Sequence, residues 1–354
     1  MEYIKTNKIV IMLALVVLLS QQGFVQEPIR VGTTSGEFLG VSYGAAATAM
    51  GDAYVAVVND VTGIYWNPAG LSFMQQSEAM FTYQPWIADI TTLFAGCGIV
   101  VPGIGTIAMG AVGADYGQMD VTTVEDQDGT GEKFSVHDYA FSLSYARKLA
   151  QWFGFGASAK YISSVIWHET ASAYAFDLGV LINTPFFSSK GEGSGLNIGM
   201  SLSNYGAPMK YDGLDLLRSH DILPDQAGNY QDTKVKFETD RWELPLIFRI
   251  GMSLTPMNTD NHKIIVAVDA LHVNNNSETV NLGLQYTLYL PGFGKFYLRG
   301  GYRALFLKNS EFGPTFGAGI SKQYMGNKNV LIDFSYRDIG VLGIVPSFGA
   351  SFTF

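Results

Sequence analysis

Large apolar and small or polar side chains alternate along this chain, with a period of two residues, from about residue 77 to the C-terminus. In the segment 139–145 the large side chains, among them Phe141 and Leu143, share one parity, and alanine and serine fill the other. The last residues, 347–354, repeat the pattern. Because the side chains of a strand point alternately to its two faces, this period predicts strands with one apolar face.

Two architectures use such strands. In a soluble sandwich the apolar faces form a core between two sheets, whereas a single sheet closed in lipid turns them outward and its polar faces inward. Charged residues make up only 15% of the chain, against about 25% in ordinary soluble domains. The composition therefore favours an all-β fold, a membrane β-barrel.

Fourteen strands are predicted, an even number that suits a bacterial single-chain barrel. Their expected ranges are 77–86, 90–101, 104–118, 136–148, 152–168, 171–184, 195–204, 241–255, 262–273, 278–289, 294–306, 311–322, 328–339 and 345–354. The two long connections, 119–135 and 205–240, follow odd-numbered strands, and short links such as 150–151 follow even-numbered ones. Long loops outside and short turns inside are typical of outer-membrane barrels.

The N-terminus has the pattern of a secretory signal peptide. Lys5 and Lys8 precede an uncharged apolar run from Ile9 to Leu19, which is shorter than the roughly 20 residues that a membrane-spanning helix needs. Residues 1–26 are therefore predicted to be cleaved, with the cut between Ser20 and Glu27, and the protein to be exported to the outer membrane of a Gram-negative type envelope. An uncleaved anchor is the alternative.

The segment 27–76 does not alternate, and we expect it to lie inside the lumen as a plug, here called the hatch, ahead of the barrel at 77–354. Its stretch 43–51 is rich in alanine and glycine, which allow close packing in a confined space. Pro68 restricts Asn67 to an extended backbone, so this motif predicts a rigid corner. The hatch motif consists of Trp66, Asn67, Pro68, Ala69 and Gly70.

Charged residues gather on the inward parity of the predicted strands, opposite the apolar face. They are Lys160, Asp177, Arg249, Asp269, Arg299, Arg303, Asp333 and Arg337. In lipid each Arg or Lys at the midplane would cost roughly 2–4 kcal/mol, so we expect these side chains in the lumen. Both signs occur, which favours pairing across the lumen; an ion-selective or substrate path is the alternative.

Two hatch segments resemble a known family. The run Gly-Ala-Ala-Ala-Thr-Ala-Met-Gly-Asp-Ala-Tyr-Val-Ala at 44–56 and Trp-Asn-Pro-Ala-Gly-Leu at 66–71 are similar to the hatch of FadL-like outer-membrane barrels, and more specifically to the PorV/PorQ family. Further similar segments lie at 129–134, 141–147, 160–162, 166–169, 175–179 and 203–206. One departure is Asn59-Asp60, where such proteins often carry two aspartates.

The resemblance implies a fourteen-stranded barrel that the outer-membrane assembly machinery inserts, with Phe354 as the assembly signal. It also implies a carrier or anchor for exported proteins, as in type IX secretion and surface attachment, whose partners are secretion-system components and outer-membrane lipid. The contact surface would be the two long connections. The alternative is a FadL-like channel that takes up hydrophobic molecules such as long-chain fatty acids, with the hatch as its gate.

The residues give little support to other functions. The five histidines, His137, His168, His220, His262 and His272, lack metal-ligand spacing, and no nucleophile motif accompanies them, so we predict no enzyme and no cofactor. A noncontiguous Ser-His pair of a surface phospholipase is the enzymatic alternative. A net charge of -9 argues against nucleic acid. Asp126, Asp128 and Glu132 form a calcium candidate that departs from the EF-hand pattern.

Overall fold

Fourteen antiparallel strands close into a barrel in the computed structural model, which describes residues 31–188, 195–223, 225, 233–307, 310–326 and 328–354. In chain order they are β1 (Glu78–Pro85), β2 (Thr91–Val101), β3 (Gly105–Asp120), β4 (Lys133–Ala150), β5 (Phe153–Ile166), β6 (Glu169–Asn183), β7 (Leu196–Gly206), β8 (Ile247–Asn258), β9 (His262–Val273), β10 (Asn276–Leu290), β11 (Gly294–Leu305), β12 (Pro314–Met325), β13 (Lys328–Asp338) and β14 (Ile344–Thr353). Each strand pairs with its neighbours in sequence, and β1 pairs with β14 to close the ring. The predicted barrel is confirmed.

The period of two sets the two faces of the wall. In β4, Phe141, Leu143 and Tyr145 are 54%, 59% and 42% exposed, whereas Ala140 and Ser144 are at most 1% exposed. The apolar face therefore points out of a single closed sheet, and no second sheet covers it in the described part of the chain. No helix among the described residues is long and apolar enough to cross a membrane.

Strand boundaries agree with the prediction to within three residues, apart from the start of β8. That strand was expected from residue 241 and begins at Ile247. Trp242 instead pairs with Met209, and Glu243 forms a parallel bridge with Thr34. Pro245 has no N–H to donate to the ladder, which explains why the strand starts after it.

The longest connections lie at one end of the barrel. They join β3 to β4 and β7 to β8, as predicted, and the second contains the short strands Asp212–Gly213, Leu217–His220 and Thr233–Lys236. The last two strands pair as a separate hairpin. Most turns at the opposite end are short, although the β6–β7 connection at 184–195 is longer.

The described part of the hatch, residues 31–76, fills the inside of the barrel. It contains the helices α1 (Ala45–Ala49) and α2 (Gly63–Trp66) and the 3₁₀ turns Glu37–Gly40 and Pro68–Phe73; a third 3₁₀ turn, Gly340–Leu342, follows β13. Its aromatic and aliphatic side chains, with Phe94, Ala108 and Ala146 of the wall, form the hydrophobic core. The core of this protein is thus supplied mainly by the segment that precedes the barrel.

Glycine pairs in the wall let the hatch backbone approach the strands. Glycines directly opposite each other on neighbouring strands include Gly156 with Gly179, Gly199 with Gly251, and Gly283 with Gly301. A Cβ atom at any of these six positions would overlap atoms of the hatch or of a neighbouring side chain. At Gly179 it would collide with the Asn67 side chain, and at Gly199 with the Val55 carbonyl. Here the wall has no room for any side chain.

We expect Gly179→Ala to lower the free energy of unfolding by about 1–3 kcal/mol, because its methyl group overpacks the site against Asn67. The measurement is urea unfolding of the barrel in lipid vesicles. Gly349→Ala is the matched control, since a Cβ there would lie 3.6 Å from the Ala45 Cβ, an ordinary contact. Equal stability of the two variants would contradict the tight fit of hatch and wall.

Candidate functional site

The hatch motif forms a buried corner whose polar groups all find partners. The Asn67 side chain accepts a hydrogen bond from the backbone N–H of Ala69 at 3.1 Å and so caps the 3₁₀ turn that Pro68 begins. Its amide nitrogen donates to the carbonyls of Val55, in the hatch, at 3.0 Å and Val180, in β6, at 3.1 Å. Asn67 thus joins two hatch segments to the barrel wall.

Trp66 and Gly70 complete the corner. The indole N–H of Trp66 donates to the Tyr43 carbonyl at 2.8 Å, and the Trp66 carbonyl accepts from the Ser201 hydroxyl at 3.0 Å. A Cβ at Gly70 would overlap Val58, so this glycine allows close contact between two hatch segments. Ala69 is fully buried beside it.

Asp52 of the hatch binds two arginines of the wall. Its carboxylate lies 3.1 Å from Nε of Arg303 in β11 and 2.8 Å from Nη2 of Arg337 in β13. The Ser42 hydroxyl donates to the same carboxylate at 2.6 Å. Asp52 and Arg337 are buried, and Arg303 is partly exposed at the edge of this three-residue ion cluster.

A carboxylate of the wall holds the hatch backbone. Asp269 of β9 accepts hydrogen bonds from the N–H groups of Tyr54 and Val55 at 2.7 and 2.8 Å. The guanidinium of Arg249, in β8, lies over the rings of Tyr65 and Trp66, with its carbon 5.3 and 5.4 Å from the ring centroids. Charged groups of the wall therefore contact the hatch through backbone amides and aromatic faces as well as through ion pairs.

The other charges pair within the wall. Lys160 and Asp177 form an ion pair at 2.6 Å. Asn204 binds both of them, because its side-chain oxygen accepts from Lys160 at 2.9 Å and its backbone N–H donates to Asp177 at 2.8 Å. Asn204 has a left-handed backbone with φ of 65°, and the β6–β7 register shifts beside it. This cluster fixes a kink in β7.

Arg299 and Asp333 form the second wall pair, at 2.5 Å, and Arg299 also donates to the side chain of Gln285 at 2.7 Å. All eight predicted lumen charges thus lie on the inner side of the wall. The two wall pairs join neighbouring or next-neighbouring strands along the wall rather than across the lumen, and Arg249, Asp269, Arg303 and Arg337 contact the hatch instead. The physical reason is that the hatch fills the space across which they were expected to pair.

Asp52 and Asn204 were not singled out from the sequence. Asp52 follows Gly51 inside the recognisable hatch segment, so an acidic residue in a plug beside a wall rich in arginine was an available signal. Asn204 carries no such signal, because its role depends on a backbone conformation that asparagine tolerates better than most residues.

Other predicted residues lie at the ends of the barrel. Phe354 is partly exposed, and its N–H donates to the Ser77 carbonyl at 2.9 Å, next to the start of β1. Asp126, Asp128 and Glu132 are exposed on the β3–β4 connection. In the described residues, no three His, Cys, Asp or Glu side chains converge on a metal-binding point. The predicted signal peptide at 1–26 lies outside the described residues.

A closed barrel of this strand number with an outward apolar face is an outer-membrane β-barrel, and solved structures share its fold. The toluene transporter TodX of Pseudomonas putida is similar over 88% of this chain and 96% of its own, with a TM-score of 0.54 and 9% identity. The monoaromatic hydrocarbon channel CymD is similar over 89% of this chain and 98% of its own, with a TM-score of 0.54 and 11% identity. The toluene transporter TbuX of Ralstonia pickettii is similar over 88% of this chain and 97% of its own, with a TM-score of 0.51 and 11% identity. At these identities the likeness shows the fold alone.

The sequence identifies the family within this class. The family described as Type IX secretion system protein PorV matches residues 24–217, more than half of the chain. The protein belongs to the PorV family, and the resemblance inferred from the hatch motifs is confirmed. No curated protein sequence matches the chain.

Replacing Asp52 by Asn should loosen the hatch, because it leaves Arg303 and Arg337 without their buried counter-charge. We expect the free energy of hatch opening to fall by about 3–5 kcal/mol. Hydrogen exchange of the hatch amides, measured by mass spectrometry with the barrel strands as internal reference, tests this. Asp120→Asn, which breaks an exposed pair with Lys133, should change stability by less than about 1 kcal/mol. Unchanged hatch exchange in Asp52→Asn would contradict the assigned role.

Replacing Asn67 by Ala removes one acceptor and two donors from a buried corner. The amide of Ala69 and the carbonyls of Val55 and Val180 then lose a partner, which should cost about 1–3 kcal/mol for each group left unpaired. The change should raise hydrogen exchange in the hatch corner first. Asn59→Ala, at an exposed position of the same segment, is the control and should leave exchange as in the wild type.

Proposed function

We propose that this protein is a non-enzymatic outer-membrane barrel that carries or anchors exported proteins in type IX-like secretion and surface attachment. The connections at 119–135 and 205–240 form its contact surface, at the end that faces outward. Exported proteins or secretion-system components are the partners, and the outer-membrane assembly machinery recognises Phe354. The family match supports the secretion role.

The observation that carries the proposal is the exposed apolar surface of the β7–β8 connection. Outside the lipid-facing belt this connection exposes several large apolar side chains among charged ones: Leu214, Leu217, Ile222, Leu223, Phe237 and Trp242. Exposed apolar groups of this kind, rimmed by polar residues, mark protein-binding sites. The connection also carries the hairpin of Leu217–His220 and Thr233–Lys236, which gives the surface a defined shape.

The interior of the barrel favours a bore that the hatch keeps closed. Serine, threonine and ion-paired residues line the wall, and the hatch contacts them through Asp52, Asn67 and the backbone at Tyr54 and Val55. A path for hydrophobic molecules would need an apolar lining, and it would require the hatch to leave these partners. Both requirements favour a surface function over a channel.

The alternative is a FadL-like channel for hydrophobic small molecules such as long-chain fatty acids, gated at Asn67, Pro68 and Ala69. The fold likeness favours it, since TodX and TbuX are described as toluene transporters and CymD as a monoaromatic hydrocarbon channel. In that case the ion pairs of Asp52 with Arg303 and Arg337 would hold the gate closed.

Photo-crosslinking in native outer membranes separates the two functions. A photo-reactive group at Leu214 should capture exported proteins, whereas the same group at lipid-facing Phe141 serves as the matched control and should capture lipid and neighbouring membrane proteins only. Mass spectrometry identifies the products. Absence of exported proteins at Leu214 would contradict the carrier role.

A substitution in the hatch provides a second test of the two functions. If the barrel is a channel, Asp52→Asn should increase uptake of a labelled long-chain fatty acid, because the gate opens more often. A carrier should show unchanged uptake. Increased uptake without protein capture would replace the carrier by the channel.

A further inference from the structure

A cavity of about 570 Å³ lies on the outside of the barrel wall, near the end that carries the long connections. It is bounded by the outer faces of β4, β5 and β6 and by the start of the β7–β8 connection. Its polar and aromatic lining includes Tyr139, Tyr161, Ser163, Ser172, Lys210 and Arg241. No described residue of the hatch lines it.

The start of the connection forms one side of this cavity because it continues the wall as an extended segment. Met209 is fully buried on the inner side, and the Tyr211 hydroxyl lies 2.7 Å from the hydroxyl of Ser164, an inward-facing residue of β5. The alternation of an extended chain then places Lys210 and Asp212 on the outer side. Both line the cavity.

The lining changes character along the barrel axis. Tyr161 and Tyr174 lie directly opposite each other on the outer faces of β5 and β6, with ring centroids 5.4 Å apart. The next outward pair toward the connection is Ser163 with Ser172. Tyr139 of β4 lies opposite Ser163, so aromatic and hydroxyl groups meet here, as at the boundary between the hydrocarbon layer and the headgroups of a membrane. The cavity thus lies at headgroup level.

In the part of the chain that the structure describes, the charges at the cavity leave Arg241 without an ion pair and Lys210 in an exposed one. Asp212 pairs with Lys236, and this hydrogen bond lowers the pKa of Asp212. Lys210 pairs with Glu238 at 3.2 Å, through a carboxylate that is mostly exposed. Within the described residues, the Arg241 side chain makes no hydrogen bond or ion pair, yet it lines the cavity.

We infer that this cavity binds the phosphorylated headgroup of a membrane lipid. The guanidinium of Arg241 presents paired N–H donors that match phosphate oxygens, and Lys210 adds a second positive charge. The hydroxyls of Ser163 and Ser172 provide further hydrogen bonds, while Tyr161 and Tyr174 lie alongside the acyl chains below. Lipid binding at this cavity is compatible with a carrier and with a channel.

Native mass spectrometry of the full-length barrel, released from nanodiscs of phosphatidylcholine with a minor fraction of phosphatidic acid, tests the site. Wild type should retain phosphatidic acid in preference to phosphatidylcholine. The double variant Arg241→Gln/Lys210→Gln should retain it at least about tenfold less, as expected for the loss of two charge-assisted contacts. Heat-dependent gel mobility verifies that each variant is folded.

The matched control is Arg218→Gln/Lys234→Gln, which removes the same charges from the hairpin of the same connection. It should retain phosphatidic acid as the wild type does. Equal retention by wild type and the cavity variant, or equal loss in both double variants, would overturn the inference. Binding of inorganic phosphate that displaces the lipid would assign the cavity to free phosphate and overturn the lipid assignment.

Discussion

The carboxylate of Asp52 lies between the guanidinium groups of Arg303 and Arg337, and the position of the whole hatch depends on this contact. Removing charges from water is costly, and the cost is offset only when each buried charge has a partner with good geometry. Among the described residues, the ion pairs of both arginines are made to Asp52. The wall is therefore electrostatically incomplete without the hatch, and the hatch carboxylate is unpaired without the wall.

Close approach of backbones makes this contact possible. The wall bears glycine pairs where the hatch chain passes, so that Val55 and Asn67 reach atoms of the strands that any side chain would cover. Asp269 then accepts two hatch N–H groups, which satisfies backbone donors that lie far from water. Charge pairing, backbone hydrogen bonds and steric fit act on different strands and hold the same segment. This explains why so short a segment, with only two brief helices, keeps a defined shape.

The sequence predicted the features that follow from periodicity. The fourteen strands, the outward apolar face, the inward charges and the end that carries the long connections all depend on a repeat of two residues and on the cost of charge in lipid. The hatch motif around Asn67 was recognisable because its residues occur together.

Partner choice inside the barrel was not predictable. Whether Arg249 pairs with another strand or lies over Tyr65 and Trp66 depends on what fills the lumen, and the hatch path has no periodic signal. The late start of β8 has a similar cause, since Trp242 and Glu243 pair with Met209 and Thr34 rather than continue the strand. Long-range contacts of this kind are set by three-dimensional packing, and a local sequence pattern does not encode them.

The base of the β7–β8 connection is physically joined to the first residues of the hatch. The Ser35 N–H donates to the Glu243 carbonyl at 2.9 Å, and Phe38 packs in one buried cluster with Met209 and Leu244. A partner that pulled this base away from the barrel would expose that cluster and break the Glu243 bond. Partner binding at the connection would then be coupled to the order of the hatch. By linkage, each would change the free energy of the other by the same amount. The β7–β8 connection and the hatch are thus two ends of one packed unit.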